Sequence, residues 1–309
     1  MNVVVLAGGV GGARFLRALT EAGRDVTAVV NVGDDLDVYG LRVCPDLDTV
    51  LYTLAGLGDD ERGWGRANET WHALETLREL GADGWFALGD RDVGLQLVRT
   101  EALRRGDPLS GVTARLAAAL RVSTPLLPAT DDQLRTWVET PAGAFAFQEW
   151  YVRRGHRDDV DAVRFEGAET ARPAPGVVEA LAAADLIAIA PSNPYLSIAP
   201  ILSVAGIRSA LEQRRAPAVA VSPLIGGRAV KGPAARMLER LAGGTTPAHV
   251  ASCYAGLVDA LVIDPADADE AGAVEALGIR AVVVPTLMDE PAQRRRLAEA
   301  VLERAGAVV

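Results

Sequence analysis

The 309-residue sequence predicts an α/β protein with a Rossmann-like, doubly wound, mostly parallel sheet and a small antiparallel β insert. Three observations predict this fold class. Short apolar runs rich in β-branched residues alternate with helical patterns, which is typical of parallel sheets. Glycine-rich or polar loops follow five of these runs. Between residues 125 and 172 the pattern changes to alternating strands joined by tight turns.

The composition restricts the class of protein. Half of the residues are hydrophobic and 23% are charged, and the formal net charge is −10. We expect no nucleic-acid binding, because that function needs a basic surface. No stretch approaches ~18 uninterrupted apolar residues, so we expect no membrane span and a cytoplasmic location. Cys44 and Cys253 are too few for a disulfide scaffold.

The first element is the apolar run Val3–Ala7, which predicts a buried strand, and Phe15–Leu19 begins an apolar helix face. The glycine-rich segment Gly8–Gly12 lies between them. Its backbone N–H groups at a helix N-terminus favour an anion, and Arg14 adds a charged donor. The segment lacks the P-loop Gly-Lys-Ser/Thr and the third glycine of the dinucleotide motif. A tight turn that packs the helix on the sheet is the alternative interpretation.

The second strand is predicted at Asp25–Val30, and Asn31 and Asp34 follow it. A dinucleotide-binding fold places a ribose-binding acid near this point. Asp46 and Asp48 stand at the start of the next helical pattern. Either carboxylate is explained as a helix N-cap. Two acids beside a phosphate-binding loop also suit a hard cation such as Mg²⁺.

The middle of the chain contains a further loop and the insert. Trp85–Leu88 predicts a short strand that runs into Gly89–Asp92, ahead of a helix from Val93. Asp92 suits an N-cap, and the loop as a whole also suits ligand recognition. Other helices are predicted over residues 64–80, 109–120 and 198–213. The insert, 125–172, is predicted to hold three or four antiparallel strands, with 126–127 in the first.

The last third of the chain returns to the alternating pattern, with strands predicted at 185–190, 218–221, 261–264 and 281–284. Polar loops begin at Pro191 and Ser222, and the second is followed by Lys231, the only lysine of the chain. A phosphate contact and a solvated loop residue both remain open for Lys231. Because the carboxyl ends of parallel strands share one edge, we expect all these loops to meet at one ligand crevice.

These observations favour a single α/β nucleotide-binding domain over residues 1–309, with 125–172 as a lid or a dimer surface. Seven motifs then bear on a family: AGGVGGARFL at 7–16, NVGDD at 31–35, CPDLDT at 44–49, LGDRD at 88–92, LPATDD at 127–132, FQEW at 147–150 and APSNP at 190–194. Together they resemble the 2-phospho-L-lactate transferase family, most closely its actinobacterial branch. The resemblance extends to about Met288.

The resemblance implies a Mg²⁺-dependent transferase that makes the precursor of the deazaflavin coenzyme F-420. The donor would be a guanosine diphosphate-activated three-carbon acid, either 2-phospholactate or phosphoenolpyruvate, and the actinobacterial likeness favours the second. The acceptor would be the ribityl hydroxyl of Fo (7,8-didemethyl-8-hydroxy-5-deazariboflavin). The products would be GMP and F-420-0 or its dehydro form. A homodimer is also implied.

The same resemblance implies roles for individual residues. Asp48 and Arg91 are expected to be catalytic and, with Asp46, to contact Fo. Asp34 and Asp48 are expected to bind Mg²⁺. The residues expected at the donor's phosphates and nucleoside are Gly8, Gly9, Gly11, Gly12, Arg14, Asn31, Ser192 and Asn193. The alternatives are another nucleoside diphosphate-dependent transferase, without affinity for Fo, and a non-catalytic nucleotide sensor, which would not need Asp48, Arg91 and a metal together.

Overall fold

The computed structural model describes residues 1–305 and is built on a seven-stranded parallel sheet. The strands are β1 (Asn2–Ala7), β2 (Asp25–Val30), β3 (Leu126–Pro128), β4 (Leu186–Ile189), β5 (Ala218–Val221), β6 (Ala260–Ile263) and β7 (Arg280–Val283). Their order in the sheet is 3-2-1-4-5-6-7. This doubly wound order confirms the predicted fold class and places the switch point between β1 and β4.

Helices connect the strands of the sheet. Within residues 1–305 the α-helices are α1 (Gly9–Glu21), α2 (Pro45–Leu54), α3 (His72–Glu79), α4 (Asp90–Arg104), α5 (Leu109–Ala119), α6 (Val177–Ala182), α7 (Ala199–Ser203), α8 (Ala205–Glu212), α9 (Ala234–Ala242), α10 (Pro247–Ser252), α11 (Ala271–Glu275) and α12 (Pro291–Ala305). Two π-helical turns, Glu149–Arg153 and Pro194–Ile198, and a 3₁₀ helix, Pro265–Glu270, complete the set.

The core lies around the central strands. Residues 3–7 of β1 and all of β4 are buried, because β1 is flanked by β2 and β4 and each side of the sheet is covered. Burial on both faces explains why these strands are continuous apolar runs rather than alternating ones. The predicted apolar face of α1, formed by Phe15, Leu16 and Leu19, is fully buried in the same core.

The insert is a three-stranded antiparallel sheet in which Arg135–Thr140 pairs with Gly143–Ala146 and with Ala162–Glu166. The assignment of residues 126–127 to this insert is wrong. β3 pairs in parallel with β2 and therefore extends the central sheet. The side chain of Leu126 is buried in the main core, which explains why it joins that sheet.

Three sequence-based elements differ from the structure. Trp85–Leu88 is a loop, not a strand; its aromatic side chains pack edge to face at 5.4 Å, and Leu88 joins a small apolar cluster with Val38 and Val43. Helix α3 covers only part of 64–80. The helix expected over 198–213 is broken, because Val204 has an extended backbone (ψ 104°) between α7 and α8.

Among the described residues no single helix is long and apolar enough to cross a membrane. One pair of segments reaches the necessary length and apolar character when combined, Pro194–Ser203 and Ala205–Glu212. The two segments are bent by 92° relative to each other.

Candidate active site

A cavity of about 560 Å³ lies at the carboxyl ends of β1 and β4, at the switch point of the sheet. Residues of α1, α2, the insert, the loops after β4 and β5, and the segment after β7 line it. The predicted site residues that line it are Gly8, Gly9, Gly11, Arg14, Asp34, Asp46, Asp48, Ser192 and Asn193. Gly12, Asn31 and Arg91 are not among the lining residues.

The glycines of the first loop allow close packing. A Cβ on Gly8 would lie 2.6 Å from Oδ2 of Asp46, and one on Gly11 would lie 2.5 Å from the carbonyl oxygen of Pro191. Gly9 has a φ of +65°, which favours glycine. The tight-turn interpretation therefore accounts for the glycines, while the N-terminus of α1 still faces the cavity, where its dipole favours an anion.

Asp46 is held in place by two donors. The Gly9 N–H donates to its Oδ1 at 2.8 Å, and Asn31 Nδ2 donates to its Oδ2 at 2.9 Å. Burial raises the pKa of Asp46 to about 6, although both hydrogen bonds act in the opposite direction. Asn31 is fully buried and also donates to the carbonyl of Leu196, so it orients Asp46 from behind the cavity wall.

Asp34 is the second carboxylate of this region and is 5% exposed. Its Oδ1 is buried and has no hydrogen-bond partner. Burial, and then the charge of Asp46, hold the pKa of Asp34 well above its ordinary value. A buried acceptor without a donor, next to a second carboxylate, has the character of a cation site. No group of three or more His, Cys, Asp or Glu side chains within residues 1–305 is arranged to hold a metal.

Asp48 forms a buried ion pair with Arg99. Arg99 of α4 binds both of its oxygens, and Gln96 Nε2 donates to Oδ2 at 2.8 Å. The N-cap interpretation of Asp46 and Asp48 is wrong, because α2 begins at Pro45 and places both in its first turn. With its oxygens occupied by a cationic partner, Asp48 is poorly suited to bind a metal, and Asp46 is the better companion of Asp34.

The start of α4 lies next to this ion pair. Asp92 accepts from the Tyr52 hydroxyl at 2.6 Å and from Gln96 at 3.0 Å, and burial raises its pKa to about 6. Glu69 accepts from the N–H groups of Arg91 and Asp92, both at 2.9 Å. Glu69 therefore caps α4, and Asp92 does not. The side chain of Arg91 is exposed.

Three polar residues predicted at the donor line the cavity and also have partners within the protein. Ser192 Oγ donates to the carbonyl of Gly8 at 2.8 Å and joins the loops after β1 and β4. Asn193 Oδ1 caps the π-helical turn that follows it, accepting from Tyr195 N at 2.9 Å. Arg14 forms an ion pair with Asp289 at 3.2 Å.

Comparison with known proteins identifies the family. Residues 3–301 match the family model described as "2-phospho-L-lactate transferase CofD". The chain belongs to this family. It is similar to three proteins named phosphoenolpyruvate transferase. The protein from Streptomyces griseus is 44% identical over 99% of this chain and 98% of that protein. The proteins from Streptomyces coelicolor (45%, 98% and 100%) and Mycobacterium tuberculosis (42%, 100% and 100%) match similarly.

A solved structure resembles the fold. The crystal structure of a UPF0052 family member from Bacillus halodurans aligns with a TM-score of 0.64 at 20% identity. The alignment covers 97% of this chain and 98% of that one. At this level of identity the comparison supports the architecture of the CofD-family chain and not its activity.

Several cavity residues of this CofD-family protein were not predicted from the sequence. Trp85, Phe86 and Tyr151 line the cavity, and Tyr151, which belongs to the insert, is stacked on Phe147 at 5.2 Å between ring centroids. The π-helical turn that presents Tyr151 has no sequence pattern of its own. Gln148 also lines the cavity, so the insert forms part of the site.

Proposed function

We propose that this protein transfers a phosphoenolpyruvyl group from a guanosine diphosphate-activated donor to the terminal ribityl hydroxyl of Fo. Dehydro coenzyme F-420-0 would form and GMP would be released; a 2-phospholactyl donor is the close variant. Family membership and the names of the relatives support this assignment. The structural observation that supports it best is one cavity that combines the α1 N-terminus with buried Asp34 and Asp46.

The proposed step is a phosphoryl transfer. The hydroxyl oxygen of Fo forms a bond to the phosphorus that bears the enolpyruvate oxygen. The bond from that phosphorus to the oxygen of GMP breaks, and the hydroxyl proton is released. Such a reaction depends on positioning and on neutralisation of charge rather than on covalent catalysis. The α1 N-terminus, Ser192 and Asn193 would bind and orient the diphosphate, with Arg14 beside them.

The residues at the cavity fit the Mg²⁺ ion that the family resemblance implies, with one change to the expected ligands. We assign it to Asp34 and Asp46 instead of Asp34 and Asp48, because Arg99 already neutralises Asp48. Two carboxylates completed by substrate phosphates and water are an ordinary Mg²⁺ environment. When bound, the ion would polarise the phosphoryl oxygens and stabilise the charge on departing GMP.

The acceptor would lie against the aromatic side of the cavity. Trp85, Phe86 and Tyr151 offer flat apolar surface for a planar deazaflavin. Asp48 lines the same cavity, held in one orientation by its ion pair with Arg99. Arg91 is exposed outside the cavity lining, so its proposed contact with Fo requires the acceptor to extend beyond the aromatic wall.

The deciding experiment has two stages. Fo fluorescence is first titrated with the protein, with and without Mg²⁺ and GDP. The protein is then incubated with Fo, Mg²⁺ and either donor, and products are identified by mass spectrometry. Saturable Fo binding and a product of the expected mass support the transferase. Nucleotide binding without affinity for Fo would indicate another transferase, and binding of both ligands without product would indicate a sensor.

We also propose a homodimer. The insert contributes Gln148 and Tyr151 to the cavity, so we assign it to the site rather than to the dimer interface. A separate surface for a second copy is offered by α4, where Leu97 and Val98 are each more than half exposed. Sedimentation at low micromolar concentration should give twice the mass of one chain, and Leu97→Asp should reduce it to one.

A further inference from the structure

Lys231 lies on a glycine-rich segment that follows β5. The hairpin strands Leu224–Ile225 and Arg228–Ala229 precede it, and Gly226, Gly227 and Gly232 all have positive φ. The side chain lines the cavity. It is the only lysine of the chain; the other basic residues, 30 of the 31 Lys and Arg, are arginines.

The cations around the cavity differ in their partners. Arg62 is paired with Asp59 at 2.7 Å, and its guanidinium lies over the rings of Trp64 and Trp71 at 5.0 and 5.1 Å from their centroids. Arg14 is paired with Asp289. Among the residues that the structure describes, no ion pair involves Lys231. Lys231 can therefore bind a dianionic or trianionic donor without first breaking an ion pair with a carboxylate.

The ammonium of Lys231 lies next to a second loop that lines the cavity. Its Nζ lies 2.8 Å from the position that a Cβ on Gly63 would occupy, and Gly63 belongs to a different loop that also lines the cavity. The two loops approach each other at this point. A charge placed there faces the cavity that also contains the N-terminus of α1, so the two anion-favouring features act on the same space.

We propose that Lys231 binds the diphosphate of the nucleotide donor, an inference that rests on the proposed function. A lysine ammonium is a compact charge with three donors, well suited to phosphate oxygens. Lys231 is thus a substrate-binding residue that supplies positive charge in the cavity that the helix N-terminus also lines.

The single lysine makes the test selective. The wild-type protein is treated with an amine-acetylating reagent, with and without saturating GDP and Mg²⁺, and acetylation rates are followed by peptide mass spectrometry. The α-amine of Met1, at the far end of β1, is the internal control. GDP should slow acetylation of Lys231 by about tenfold and leave the Met1 rate unchanged, because a bound phosphate shields the amine. An unchanged Lys231 rate while GDP is bound would overturn the proposal.

Variants provide the second test. Lys231→Met should raise the Kd for GDP by about tenfold, equivalent to ~1.4 kcal/mol, and should weaken the salt dependence of binding. Lys231→Arg should retain most of the affinity. Arg228→Met removes an exposed charge from the same hairpin, outside the cavity lining, and should change the Kd less than about twofold.

The outcomes separate this inference from the proposed function. If the wild type forms product and Lys231→Met binds GDP as tightly as the wild type, only the role of Lys231 is wrong. If the wild type does not bind GDP at all, both the donor assignment and the role of Lys231 are wrong.

Discussion

Arg99 of α4 and Asp48 of α2 form a bidentate ion pair that is almost completely buried. Arg99 also binds Gln96, which itself donates to Asp48. The pair joins two helices, and only the carboxylate side of it lines the cavity. The orientation of a proposed substrate-binding residue therefore depends on an arginine that lies behind the cavity wall.

Loss of this arginine should destabilise the protein strongly. Arg99→Met leaves Asp48 as an uncompensated buried charge, and we expect the free energy of unfolding to fall by about 3–5 kcal/mol in urea denaturation. Arg115→Met is the matched control, since its pair with Asp107 is exposed and should contribute less than about 1 kcal/mol. Equal effects of the two substitutions would contradict a structural role for the buried pair.

The Asp34 carboxylate should make stability depend on pH. Its pKa is raised in the folded state, so the folded protein binds the proton more tightly than the unfolded chain. The contribution of Asp34 to the stability of the wild type therefore falls as pH rises from about 4. Asp34→Asn removes this loss, and its advantage in free energy of unfolding should be larger at pH 8 than at pH 5.

Asp35→Asn is the control that separates the effect of a buried charge on stability from a role at the cavity. Burial raises the pKa of Asp35 to about 7, so its amide variant should show a similar gain at high pH. Asp35 does not line the cavity, however, and its variant should keep transferase activity that Asp34→Asn loses. A pH-independent difference between Asp34→Asn and wild type would argue against the buried-charge explanation.

The proposed Mg²⁺ site should be visible without catalysis. Because a ligand that binds only the folded state raises its stability, Mg²⁺ with GDP should raise the Tm of the wild type above its value with GDP alone. This additional increase should disappear in Asp34→Asn and persist in Asp35→Asn, as followed by scanning calorimetry. An increase of equal size in both variants would place the ion away from Asp34.

The packing of the glycine loop gives a prediction that does not involve charge. Gly11→Ala would place a methyl group 2.5 Å from a backbone oxygen of Pro191, so α1 must move away from the loop after β4. We expect a loss of about 1–3 kcal/mol in chemical denaturation. Gly94→Ala, in α4 with open space around it, should instead gain roughly 0.5–1 kcal/mol.

The expected contact between Arg91 and Fo can be tested cleanly. Arg91 is exposed, so Arg91→Ala should change the free energy of unfolding by less than about 0.5 kcal/mol. The Kd for Fo, from fluorescence titration, should rise by about tenfold, as for loss of one charged hydrogen bond. Arg105→Ala at the other end of α4 should leave the Kd unchanged, and an equally unchanged Kd for Arg91→Ala would exclude the contact.

The sequence is sufficient to predict the fold class and the edge of the sheet at which the cavity lies. Periodicity identifies buried strands, and parallel topology brings their carboxyl ends together. It was not sufficient where a residue's role depends on a distant partner. Asn31 has the position of a ligand contact but binds Asp46, and no local pattern pairs Arg99 with Asp48, 51 residues away. Trp85 and Phe86 have strand propensity but no neighbouring strand.

The position of β1 also affects how the chain folds during synthesis. One of its neighbours, β2, follows within 30 residues, but the other, β4, begins only at Leu186. The hydrogen bond from Ser192 to Gly8 spans 184 residues. A nascent chain therefore displays one unpaired apolar edge of β1 until more than half of it has been made. Chaperones that bind exposed strands should act on this chain before the cavity exists.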